Sequence, residues 1–286
     1  MPPRSALLAA TFAALGVACG AAVRSHIEDQ ARRDVPIAIC QKPVSAADMD
    51  PAGKPLPQLY WSVLVTGFGG MGAPLAPTAT DCAGNALIPA EDVRSMVLRK
   101  AAAAEDMTTL ENADGSQVVW IRAAADPHRA AGPLAVVLAL PTEIDVYAIG
   151  AYAGSSQHTR FESVKVGPAS FLAAYDDACA DVKGDADCES TVSFYSVQAG
   201  RFDPVARATT TRTQNGTMRD IGKVVFRLST EAPTFDDKGM HLKEKLSVRD
   251  SSDDEVRRAQ GERLFTYKDG VLAAAGESVW AQVAKP

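Results

Sequence analysis

Two stretches of this 286-residue chain, and its few histidines, have residue types that could do chemistry. The first stretch, Gly67-Phe68-Gly69-Gly70-Met71-Gly72, satisfies G-x-G-x-x-G, with Glu91 about twenty residues further on. In a dinucleotide site such glycines let the backbone approach a pyrophosphate held at a helix N-terminus. Here Pro74 and Pro77 interrupt the segment that would have to be that helix, so the stretch reads as a glycine-rich turn. No cofactor and no nucleotide are expected. The second stretch is acidic: Asp176, Asp177, Asp181, Asp185, Asp187 and Glu189 crowd around Cys179 and Cys188. Carboxylates on a closed loop can offer hard oxygen ligands to Ca²⁺, with Asp181, Asp185 and Asp187 as the candidate set. The D-x-D-x-D-G register is missing, and a solvated acidic loop is the alternative. The histidines are His26, His128, His158 and His241, and no pair has metal-ligand spacing. A Ser-His-Asp site is assembled in space and leaves no fixed sequence spacing, and no G-x-S-x-G elbow is present. A carboxylate pair for glycoside hydrolysis is equally a three-dimensional property.

The N-terminus supplies an address. A single basic residue, Arg4, precedes a charge-free run from Ser5 to Ala18, the pattern of a signal peptide. Its apolar part, residues 6–18, has 13 residues, against the roughly 20 needed to cross a bilayer core. The sequence Leu15-Gly16-Val17-Ala18-Cys19 that follows resembles the lipobox of bacterial lipoproteins, with Gly16 where that class usually has Leu. The resemblance covers this N-terminal stretch only. It implies that Cys19 carries a diacylglycerol and becomes the mature N-terminus, so that the protein meets the membrane through a lipid. Ordinary cleavage after Ala22, giving a secreted soluble protein, is the rival.

Cysteine parity agrees with the lipid. Five cysteines are an odd number for an oxidising compartment, and removing Cys19 leaves Cys40, Cys82, Cys179 and Cys188. Neighbours in sequence suggest Cys40–Cys82 and Cys179–Cys188, closures for which chain entropy gives about 4 and about 2.7 kcal/mol.

These residues must be positioned by a folded body. Residues 1–18 read as signal peptide and 19–57 as a lipidated N-terminus and flexible tether, rich in proline from Pro36 to Pro57, with one β domain over 58–286. Apolar residues alternate over 59–66 and 224–228, and over 242–249 Leu242, Leu246 and Val248 interleave with Lys243, Lys245, Ser247 and Arg249. That period of two predicts strands. Further strands are expected at 118–121, 134–140, 144–153, 161–166, 192–198 and 263–267, and helices at 89–104 and 168–178. Asp114-Gly115, Asn215-Gly216 and Asp269-Gly270 are candidate hairpin turns. The fold expected is mainly antiparallel β, a twisted sheet or sandwich with one or two short helices. Trp61, Trp120 and Trp280 are assigned to its core.

The chain is 47% hydrophobic, 22% charged and carries a net charge of −6, which supports a packed core and argues against a nucleic-acid partner. No catalytic constellation emerges from the residue inventory. The expectation is therefore a lipid-anchored envelope module that binds a protein or glycan partner or serves structurally. An exported hydrolase with an unrecognised carboxylate or serine site is the alternative.

Overall fold

Long antiparallel strands dominate the computed structural model, which describes residues 37–93, 95–99, 104–167, 169–268 and 271–283. The signal-peptide pattern, Cys19 and the Asp269-Gly270 turn lie outside the described residues. In chain order the first seven strands are β1 (Cys40–Pro43), β2 (Val97–Leu98), β3 (Met107–Glu111), β4 (Gln117–Ile121), β5 (Ala124–Ala125), β6 (Arg129–Ala139) and β7 (Glu143–Ser155). They form one sheet in the order β1-β7-β6-β4-β3, with β5 paired to β6 and β2 to β5. The next nine are β8 (Thr159–Val166), β9 (Ala169–Asp176), β10 (Cys188–Gln198), β11 (Arg201–Met218), β12 (Gly222–Thr230), β13 (Thr234–Phe235), β14 (Gly239–Asp250), β15 (Glu255–Lys268) and β16 (Val271–Ala275). These run as a meander, β8-β9-β10-β11-β12-β14-β15-β16, with β13 on β14. Two short helices, α1 (Pro57–Leu64) and α2 (Val279–Val283), complete the mainly β fold.

Alternation explains the large sheet. On β14, Met240, Leu242, Leu246 and Val248 are buried while Lys243 and Lys245 are exposed, the pattern of a sheet with one dry and one wet face. The sheet rolls so that early strands meet late ones. Phe171 of β9 packs on Tyr267 of β15 at 5.7 Å between ring centroids, and Phe194 of β10 on Phe235 of β13 at 6.0 Å. The two sheets join through Trp120 and Tyr152 of the smaller one and Phe161 and Tyr195 of the larger, in edge-to-face contacts of 5.3–6.2 Å.

Several local expectations are corrected. Residues 57–64 form a helix, not a strand: Leu59, Tyr60, Trp61, Val63 and Leu64 are all buried, so apolar residues occupy both parities. The pairs Leu59/Val63 and Tyr60/Leu64 match helical i, i+4 spacing, and Pro57 sits at the first turn, where its missing N–H costs nothing. The expected helix over 89–104 contains β2 instead, and of Val93, Met96 and Val97, which helical spacing would put on one face, only Met96 is buried. The one over 168–178 is β9, which is apolar at consecutive positions because Phe171 and Leu172 face different clusters of the core. Asn215 and Gly216 lie inside β11, and the turn comes at 219–221. Gly216 is there for close packing: an added Cβ would lie 2.8 Å from the Phe226 ring. Asp114-Gly115 does link β3 to β4, with Gly115 at φ +83°. Ordered structure also begins before residue 58, since β1 pairs with β7 and Ser45 and Asp48 cap a short 3₁₀ turn. Pro43 is tolerated there because β1 is an edge strand.

Candidate functional site

The four paired cysteines meet as expected. Cys40 is bonded to Cys82 and Cys179 to Cys188, with Cα atoms 6.3 and 5.3 Å apart. The first bond ties β1 to the chain following α1, and the second closes the acidic loop between β9 and β10. Two disulfides point to an oxidising, extracytoplasmic location. No helix among the described residues is long and apolar enough to cross a membrane.

The calcium set is not assembled. Asp181 lies 3.0 Å from Nε2 of His158, Asp185 pairs with Arg227, and Oδ1 of Asp187 accepts hydrogen bonds from the backbone and side-chain amides of Asn215 at 2.7 and 2.9 Å. The backbone N–H of Asn215 is the main reason that the Asp187 carboxyl titrates below the ordinary carboxylate range. The three side chains thus serve three different partners. No group of three His, Cys, Asp or Glu side chains among the described residues could hold a metal ion.

The other candidates are also placed. His241 carries Glu262 on Nδ1 at 2.8 Å and Asp236 on Nε2 at 3.1 Å, so both ring nitrogens are engaged by carboxylates and none faces a serine. Gly67, Gly70 and Gly72 have positive φ, whereas Gly69 does not. They follow helix α1 and lead into turns, which is not the strand–turn–helix order of a dinucleotide site. Trp61 and Trp120 are fully buried, and Trp280 packs on Phe226 at 5.8 Å under the Arg212 guanidinium.

The acidic loop leads to a feature that the motif inventory missed. On the wet face of the large sheet, strand register aligns Thr211, Ser229, Lys245 and Gln260 in one row across β11, β12, β14 and β15. A second row alongside holds Thr213, Arg227, Ser247 and Arg258. Together they floor a groove of about 650 Å³. Each floor cation has a carboxylate at the rim. Arg227 pairs with Asp185 of the disulfide loop, Lys245 with Glu231 at 2.8 Å, and Arg258 with Glu255 at 2.9 Å. The Lys245 hydrogen bond is the largest of the influences that hold the Glu231 carboxyl below its usual range. The groove is thus a field of hydroxyl, amide and guanidinium donors with near-balanced charge. The part legible beforehand was the wet half of 242–249, where Lys245 and Ser247 alternate with buried leucine and valine. Comparison with protein-family models, with curated proteins and with solved structures finds no match to this chain.

Proposed function

We propose that the chain is an exported bacterial lipoprotein, anchored through Cys19, whose body acts in the cell envelope by binding a carboxylate-bearing glycan along the groove of the nine-stranded sheet. The observation that carries this reading is the pair of cross-strand rows that set hydroxyls, an amide and two guanidinium groups on one face. Sugar hydroxyls need such donors and acceptors, and a planar guanidinium takes a carboxylate through two parallel hydrogen bonds. The rim pairs do not block this. Exposed ion pairs are each worth only about 0–1 kcal/mol, so a ligand carboxylate can replace a rim acid at little cost. The two disulfides support the compartment, and the charge-free run ending in Val17-Ala18-Cys19 supports the anchor.

The address is tested in cells with alkyne palmitate. The parent chain is expected to take up label and to fractionate with membranes, and the Cys19→Ala variant to lose the label. Equal labelling of the two, or a mature protein that begins at Val23, would overturn the anchored reading.

A further inference from the structure

The nine-stranded sheet ends on a strand whose partner stops short. β16 covers β15 only from Leu264 to Lys268, which leaves the outer edge of β15 bare from its start to Arg263. Among the described residues no strand pairs with that edge and no backbone hydrogen bond leaves it. Register on the β14 side slips between Glu255 and Arg257, so Val256 is a bulge, and residues 257–263 form a regular bare segment of about 24 Å. Arg257, Arg258, Gln260, Gly261 and Glu262 in it are exposed.

One hydrogen bond fixes which backbone groups point outward. The Tyr267 N–H donates to the Lys238 carbonyl at 3.3 Å, on the β14 side. Register is unbroken from Arg257 to Thr266, and successive residues of a strand aim their backbone groups at opposite edges, so odd positions face β14 and even positions face out. Arg258, Gln260 and Glu262 therefore each hold an N–H and a C=O open to a further strand. Their side chains share the wet face, since register sets them beside Ser247, Lys245 and Lys243.

Bare edges are commonly guarded by proline, lysine or a covering segment. Among the described residues this one shows none of the three. Its charges are of both signs, and their order is self-complementary about Gln260. Laid antiparallel against itself, the segment sets Gln260 opposite Gln260 and Arg258 opposite Glu262, twice, on the wet face. The remaining valences are there: Arg258 meets Glu255 through Nε and Nη2, leaving Nη1, and Glu262 meets His241 through Oε1, leaving Oε2. On the other face Ala259 falls opposite Gly261, small enough for close approach, and Arg257 opposite Arg263, whose charge Glu244 already neutralises. The ladder ends where the bulge turns residues 255 and 256 aside and where β16 begins.

We propose that the protein forms a twofold-symmetric dimer in which β15 pairs with β15 of a second copy, joining the two large sheets into one. The interface is isologous, as a closed dimer requires. Each outward N–H and C=O of Arg258, Gln260 and Glu262 finds its counterpart in the other copy, and the two grooves come to lie side by side on one continuous wet face. The dimer does not rest on the glycan reading.

Sedimentation equilibrium of the purified full-length protein tests this, in neutral detergent so that the N-terminus cannot itself drive association. A monomer–dimer equilibrium is expected, with dimer accumulating between about 1 and about 100 µM. Gln260→Pro removes an outward N–H that the fold of the single chain does not use, and proline is tolerated on an edge, so this variant should keep its β circular dichroism and dimerise at least about tenfold more weakly. Arg258→Glu and Glu262→Arg should each weaken the dimer, and the double exchange should restore it. Should the proline variant fail to fold, the charge exchange still decides. Monomer at every concentration up to about 100 µM would overturn the proposal and leave the edge to an extended peptide of another protein. So would a dimer that Gln260→Pro leaves intact, or a double exchange that dimerises no better than the single ones.

Discussion

Glu244 stands in the apolar row of β14, between Leu242 and Leu246, with 1% of its surface exposed. A carboxylate there is tolerable because all its bonds are made. Oε1 receives Arg263 at 3.1 Å, and Oε2 receives the Ser278 hydroxyl at 2.7 Å and the Val279 N–H at 2.8 Å. Through these bonds one side chain fastens the C-terminal segment and α2 onto the sheet, where Val279 and Trp280 cover Phe226 and Leu246. Removing one member of a buried pair strands the other, so Glu244→Ala should cost about 3–5 kcal/mol in urea unfolding. A loss below about 1 kcal/mol would contradict this account. None of it was visible in the sequence, because Ser278 lies 34 residues from Glu244 and Val279 lies 35. The same distance hid the role of the acidic loop. Asp187 and Asp185 find Asn215 and Arg227 at separations of 28 and 42 residues, and local spacing cannot distinguish such partners from a bound cation.

Strands and helices were legible to the extent that their two faces differ. β14 and β12 were readable because one face is dry and the other wet. α1 and β9 were not, since neighbouring residues on each are buried against different surfaces and the period is lost. Charge also ties elements together, as at His241 on β14, which reaches Asp236 in the β13–β14 turn and Glu262 on β15. The Glu262 hydrogen bond, helped by Asp236 and opposed by desolvation, raises the imidazole above its ordinary 6.5. Asp236 is held below its ordinary 3.8, first by the Lys238 backbone N–H. A raised histidine stabilises the fold fully below 6.5 and loses that contribution as pH climbs through the raised value, while a lowered aspartate contributes above 3.8. The bridge therefore works between those limits. The stability difference between parent and His241→Asn should be larger near about pH 5.5 than near about pH 8.5. A difference that is flat with pH, or larger in alkali, would contradict the bridge.

At the scale of the whole molecule, the described residues form two open sheets that share an aromatic seam, with two disulfides that fasten the edge strand β1 and the acidic loop. Chain entropy assigns about 4 kcal/mol to the longer closure and about 2.7 to the shorter, so oxidation supports both the edge of the small sheet and the wall of the groove. Mainly antiparallel β structure followed from alternation, and the disulfide pairing from the order of the cysteines along the chain. The groove did not, because it exists only once four strands of one meander come into register. Its role as a glycan site is tested most directly by calorimetric titration of the full-length protein with solubilised peptidoglycan fragments. The account predicts saturable binding that weakens at least about tenfold in the Arg227→Ala/Arg258→Ala double variant, with an unchanged melting temperature because both side chains sit in exposed ion pairs. Absence of binding by the parent, or binding that survives the loss of both guanidinium groups, would contradict it.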